Sequence, residues 1–316
     1  MRAATLFCIL CLCACRAGAP ASLSPGLGTC SMTQPKAMNE PRSLYVYSFG
    51  GIEQMEVAAA VEMLGELGYA GIAAESRGEV ALARLSEYCE WSEQKGDDFE
   101  IVSAFMAHRF DRYGLSDAGH RAAIDRIAGT GGHLWVWVRD VLQDGSITDA
   151  TVEAFIRGIL EYAVSKSVKV VLYPHYNTYF PTTKDALPLV EKINHPSLGI
   201  AINLCHELMS DKGEVLEQTF EEAKDRIFAI IVSGSKVELD RTSVRTMNRS
   251  TIKSLDDSPY DLRPYLRLIK TSGFEGPIGF INFKQATAPQ DYLEKTMIRW
   301  RELCEEVGLH KTTKSK

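Results

Sequence analysis

Eight short runs of apolar, largely β-branched or aromatic residues punctuate the chain. They begin at Leu44 (LYVYSF), Gly71 (GIAAE), Phe99 (FEIVSAF), His133 (HLWVWV), Val168 (VKVVLY), Leu198 (LGIAIN), Ile227 (IFAIIV) and Pro277 (PIGFIN). Each is nearly continuous in its apolarity, as strands buried on both faces of a parallel sheet must be. Amphipathic stretches at helical spacing alternate with them: Val57–Leu67, Val80–Trp91, Ala118–Ile127, Val152–Ala163, Ala186–Ile193, Val215–Ala223, Tyr260–Ile269 and Tyr292–Val307. Thr148 and Asp149 precede the fourth of these as candidate caps. Most runs start roughly thirty residues apart, the length of a βα unit. Between Ile227 and Pro277 the gap is longer, and its polar stretch Lys236 to Ser258 reads as an extended loop. Eight units over residues 44–307 predict a single (β/α)8 TIM barrel, an α/β fold. A doubly wound sheet is the alternative, and the lack of a GxGxxG after the first strand weakens its dinucleotide-binding form.

The barrel is preceded by a different kind of sequence. Arg2 and the apolar run Ala3–Cys15 have the pattern of a signal peptide over residues 1–14, too short to span a bilayer. Leu12-Cys13-Ala14-Cys15 resembles a lipobox, with cleavage before Cys15 and a lipid on that residue, while the small residues of 17–21 suit ordinary signal peptidase. Residues 15–43 are rich in Ser, Pro, Gly and Ala and read as a flexible linker; residues 308–316 form a basic tail. The expected destination is outside the cytoplasm, with membrane attachment only through an N-terminal lipid anchor. The cysteines beyond the leader, Cys30, Cys89, Cys205 and Cys304, are scattered too widely for a zinc knuckle or a disulfide framework. A charge of −6 leaves nucleic acid a poor partner.

In a barrel the chemistry gathers where the strands end, because the βα loops converge there. The polar residues at those ends are Ser48, Glu75, His108 with Arg109, Arg139 with Asp140, His175 with Asn177, Asn203 with His206, Ser233 with Lys236, and Asn282 with Lys284. His108 beside Arg109 reads as a solvated loop pair. His175 and His206 stand out, each near a second polar group, Asn177 and Glu207. Cys205 is set aside because neighbours on a strand point to opposite faces. Trp135 and Trp137, at strand spacing, read as core.

The block Val170–Gly213 (VVLYPHYNTYFPTTKDALPLVEKINHPSLGIAINLCHELMSDKG) and the block Ser272–Phe283 (SGFEGPIGFINF) resemble the xylose isomerase-like TIM barrels. That superfamily holds sugar-phosphate isomerases and epimerases and the family 2 apurinic endonucleases. Within it, GIAINLCHEL is similar to an NLCH-bearing branch of exported, sugar-directed members. The resemblance implies a divalent metal that holds two sugar oxygens while carboxylates move a proton through an enediolate. Its usual ligands end strands five to eight as Glu, Asp, His and Glu. Here the corresponding positions carry Tyr173, Asn203, Ser233 and Asn282, all neutral, so the metal is doubtful. A softer site built from His175, His206 and Glu207 is the weak substitute.

Three functions stay open. The favoured one is a sugar isomerase or epimerase. In it His175 and His206 move the proton, Lys236 stabilises the enediolate, and Glu75, Arg139, Asp140, Asn177, Asn203, Asn282 and Lys284 hold the substrate. The second is a lyase or hydratase on oxidised glycosides, and the third a carbohydrate-binding barrel without catalysis. Each implies a small-molecule carbohydrate as partner.

Overall fold

A computed structural model describes residues 40–139, 146–285 and 288–312. The leader and Asp140 lie outside the described residues. The eight strands are β1 Tyr45–Tyr47, β2 Gly71–Glu75, β3 Glu100–Arg109, β4 His133–Arg139, β5 Lys169–Leu172, β6 Leu198–Asn203, β7 Ile227–Val232 and β8 Ile278–Phe280. They pair in parallel and in chain order, and β8 returns to β1 with Tyr45 opposite Gly279, which closes the barrel. The predicted TIM barrel is therefore the fold.

The helices are α1 Val57–Leu67, α2 Gly78–Lys95, α3 Phe110–Tyr113, α4 Ala118–Ile127, α5 Asp149–Ser165, α6 Thr183–Ile193, α7 Leu204–Met209, α8 Leu216–Ala223, α9 Val244–Thr251, α10 Arg263–Thr271 and α11 Pro289–Val307. Thr148 caps α5 by accepting from the Thr151 N–H, and Thr182 with Asp185 forms a capping box on α6. Two expectations need correction. The polar stretch Lys236 to Ser258 is not a plain loop, because Ser243 and Thr246 cap α9 within it. Residues after Asn203 do not continue as strand: the Asn203 side chain accepts from the Cys205 N–H and starts α7 at once. Among the described residues, no helix is long and apolar enough to cross a membrane.

Period-two alternation sorts strand residues into two layers of core. Val46, Ile72, Leu134, Val136, Val170 and Leu172 face outward beneath the helices. Tyr47, Ala73, Trp135, Val171, Tyr173, Ala201 and Ala229 fill the barrel itself. Bulk is balanced across the ring: a Cβ on Gly279 would meet Tyr47 at 3.5 Å and Trp135 at 4.0 Å, so the large rings of one side lie against the missing side chain of the other.

The barrel's lower end is tied by residues flanking the strands. The Arg42 guanidinium donates to the carbonyls of Phe274 at 2.7 Å and Gly276 at 2.8 Å, and the Trp300 indole N–H donates to the Arg42 carbonyl at 2.8 Å. Pro41 and His310 form an antiparallel bridge. Residues 40–43 and 308–310 are thus packed against the barrel's closing seam.

Candidate active site

The upper end is built by residues that continue the inward alternation past the strands. On β4 that series is Trp135, Trp137, Arg139; on β5 it runs Val171, Tyr173, His175. The Tyr173 N–H still donates to the Val136 carbonyl at 2.8 Å, after which Pro174 has no N–H to offer and the ladder stops. The chain then turns tightly: the His175 N–H donates to the Phe180 carbonyl at 2.9 Å, and Asn177 adopts a left-handed φ of 60°. Asn177 is exposed in this turn.

His175 and His206 come together. Their ring centroids lie 3.9 Å apart with planes inclined by 39°, and the Trp137 indole stacks on His175 at 4.6 Å and 17°. His206 reaches this position because α7 begins directly after β6, which rotates it into the mouth. The same helix also overturns the argument against Cys205. That thiol is buried in the barrel and donates to Asn203 Oδ1 at 3.1 Å. Its burial holds the thiol proton on well above the ordinary pH range, so the group is no nucleophile.

Burial favours the neutral form of both imidazoles. It carries His175 down to about 4, with the nearby charges of Arg139 and Arg77 adding to the effect and the Tyr176 carbonyl opposing it. That carbonyl lies 2.8 Å from Nδ1 and can only accept, so the neutral ring carries its proton on Nδ1 and a lone pair on Nε2. His206 is 1% exposed and is lowered further by burial and by His175; among the described residues neither of its ring nitrogens has a hydrogen-bond partner.

Below the pair runs a neutral hydrogen-bonded chain. The Tyr47 hydroxyl donates to Tyr173 Oη at 3.0 Å, Asn203 Nδ2 donates to the same oxygen, and Asn203 Oδ1 takes the Cys205 N–H at 3.2 Å as well as the thiol. Ser233 donates to the Thr251 carbonyl at 3.1 Å. Asn282 is correctly placed at the end of β8 but faces outward. Its Nδ2 donates to the Phe49 carbonyl at 2.6 Å and to the Tyr292 hydroxyl at 2.8 Å, and the inward position belongs to Ile281. Of the four positions where the resemblance implies metal ligands, Tyr173, Asn203 and Ser233 carry neutral groups committed to internal hydrogen bonds and Asn282 turns outward with Ile281 in the inward place, a donor set that does not fit a hard divalent cation.

The softer substitute does not assemble either. Glu207 turns away to α6, where its Oε1 accepts from the Thr183 N–H at 2.8 Å, and burial raises its carboxyl above the usual range. Among the described residues no three His, Cys, Asp or Glu side chains are grouped to hold a metal ion.

The remaining candidates divide. Glu75 lies at the top of β2, its Oε1 and Oε2 each 2.8 Å from the Arg77 guanidinium, and its N–H donates to Ser48 Oγ at 2.8 Å. Arg139 is half-buried beside the Trp137–His175 stack. Lys284 is exposed, its amine 4.9 Å above the Phe283 ring. Lys236 is exposed and lines a separate cavity of about 640 Å³ with Leu208, Arg241 and Tyr260, whose walls include neither imidazole. His108 is not a solvated loop residue. It is fully buried on the outer face of β3, stacked on Phe155 at 3.6 Å with its Nε2 2.9 Å from the Gly114 carbonyl. Sequence reasoning missed Trp137 as the platform under His175, although its alternation with Trp135 and Arg139 carries that signal.

A family profile described as xylose isomerase-like TIM barrel matches residues 117–308. Solved structures share the fold. A 3-keto-D-glucoside 4-epimerase from E. coli is 11% identical with a TM-score of 0.63, covering 82% of this chain and 99% of its own. The IolI protein with a bound zinc atom is 14% identical with a TM-score of 0.64, covering 86% and 100%. A probable 3-DHS dehydratase from Bacillus anthracis is 15% identical with a TM-score of 0.62, covering 81% and 98%. No curated protein sequence matches the chain.

Proposed function

The chain belongs to the xylose isomerase-like TIM-barrel family, and on that premise we propose that it is a carbohydrate-directed isomerase or epimerase whose proton transfer falls to the imidazole of His175. The observation that carries this reading is the state of that ring. It packs against Trp137 and His206, is held neutral by burial, and is oriented by the Tyr176 carbonyl so that Nε2 presents a lone pair. A neutral base of this kind can take the proton from a carbon next to a sugar carbonyl. The enediolate charge that develops then favours the imidazolium, which gives the proton to the adjacent carbon, or to the opposite face of the same carbon once the bound enediolate has turned. Because the donor set at the strand ends does not fit a hard divalent cation, the proton transfer falls to side chains.

Sugar-directed names among the structural neighbours support the substrate class, and the dehydratase among them supports a lyase or hydratase as a variant of the same enolate chemistry. A carbohydrate-binding barrel without catalysis is the second reading. It is favoured by the commitment of Tyr173, Asn203 and Ser233 to internal hydrogen bonds. Export, read from the apolar run before Cys15, is part of the same proposal, and cell fractionation tests it.

The deciding experiment incubates the protein with a panel of aldoses, ketoses and keto-glycosides in deuterated water and follows carbon-bound deuterium. Incorporation that falls by about a hundredfold or more in His175→Phe supports the reading. Incorporation unchanged in that variant removes His175 from the role, and tight binding with no exchange at all leaves the binding barrel.

A further inference from the structure

The mouth is a cationic rim around an aromatic floor. Ring contacts run without a break from Phe283 to Phe49 at 5.6 Å, Phe49 to Phe105 at 6.1 Å, Phe105 to Trp137 at 6.4 Å and Trp137 to His175 at 4.6 Å. Such a surface suits the apolar C–H face of a pyranose. The strand-end positions that would make this centre anionic are occupied by neutral side chains, and the carboxylate of Glu75 is already chelated by Arg77.

Arg139 is in a different situation from Arg77. It pairs across the sheet with Arg109, stands two residues beyond Trp137 on the inward side of β4, and is half-buried. Among the described residues no carboxylate pairs with it. A half-buried guanidinium with no carboxylate partner among the described residues has lost part of its hydration and offers a planar fork of donors that matches one ligand group best, a carboxylate bound by two parallel hydrogen bonds. The Lys284 amine above Phe283 adds a second positive charge at the rim.

We propose that the mouth takes a sugar bearing a carboxylate, and that Arg139 is the residue that selects for it. This rests on the carbohydrate reading above and narrows it: the floor holds the ring, while Arg139 holds the acid group and thereby fixes which carbon faces His175. The positive rim stands in for the charge that a cation supplies in a site built around carboxylates, with the partners exchanged between protein and ligand.

Calorimetric titration of the full chain with matched pairs tests it: D-glucuronate against D-glucose, and D-galacturonate against D-galactose, at low and high salt. At least one acid should bind about tenfold or more tightly than its neutral partner, and the preference should shrink as salt rises. Arg139→Gln should weaken the acid by about ten- to a hundredfold, as loss of a charged hydrogen-bond pair does, and the neutral sugar by much less; Arg139→Lys should fall between. Circular dichroism of both variants checks that they fold. Equal affinity for acid and neutral sugars, or an acid preference untouched in both variants, overturns the proposal and leaves the carbohydrate reading intact. Binding of neither class overturns both.

Discussion

His175 and His206 lie with 3.9 Å between ring centroids and their planes inclined by 39°, closer than two imidazolium ions can be held in a buried site. The protein therefore keeps this pair neutral by burial, and any proton that arrives at the mouth can be held by one ring at most.

The first consequence is a stability profile that tilts with pH. Unfolded histidines titrate near 6.5, whereas burial brings His175 and His133 to about 4 and His120 to about 3 in the folded chain. Between those limits the unfolded state binds more protons, so stability is complete above pH 6.5 and falls as pH drops toward 4. For His175 alone the loss at pH 4 is about 3 kcal/mol. Thermal melts from pH 8 to pH 4 should show a Tm that is level at first and then descends; a flat Tm across that window would contradict the buried neutral state.

His206→Phe should hold or raise stability. The wild-type ring is fully buried with both nitrogens unpartnered among the described residues, so an apolar ring of similar shape removes a desolvation cost of about 1 kcal/mol or more. The acid descent of Tm should become shallower in the same variant, because one low-pKa group has gone.

Glu207→Gln retains an oxygen for the Thr183 N–H at the start of α6 but no buried charge. Because burial raises the folded carboxyl above its unfolded value, ionisation opposes folding at high pH. The variant should be more stable than wild type at pH 8 by about 1 kcal/mol, and the gain should vanish as pH falls through the raised pKa. Paired urea titrations at pH 8 and pH 5 measure it.

Asn203→Leu should cost about 2–4 kcal/mol, since it leaves the Tyr173 hydroxyl, the Cys205 N–H and the thiol without their common partner inside the barrel. Urea unfolding gives the loss directly, and unchanged stability would show that the polar chain contributes nothing.

Much of this architecture is legible in the chain because a doubly buried strand announces itself by unbroken apolarity, and α1 and α4 begin and end where their periodicity does. Errors cluster where a strand stops. At β8 the apolar run gives no parity mark, so Asn282 reads as inward when Ile281 holds that place. At β6 the six residues of α7 follow without a spacer, and the Asn203 cap is hidden inside what reads as strand. On β3 the strand runs on through Arg109, well past the apolar run, which places His108 against α5 instead of in a loop. Charge at the mouth was visible as residue types, but the difference between a paired Arg77 and Arg139 depends on contacts between strands.

The balance of Gly279 against Tyr47 and Trp135, and the shared oxygen that joins Tyr47, Tyr173 and Asn203, bear on how far this interior can evolve. Replacing Tyr173 by a carboxylate would open a void the size of an aromatic ring and orphan two polar neighbours at the same moment. A lineage with this interior can acquire an anionic centre only through several concerted replacements, since each single step passes through a weakened protein.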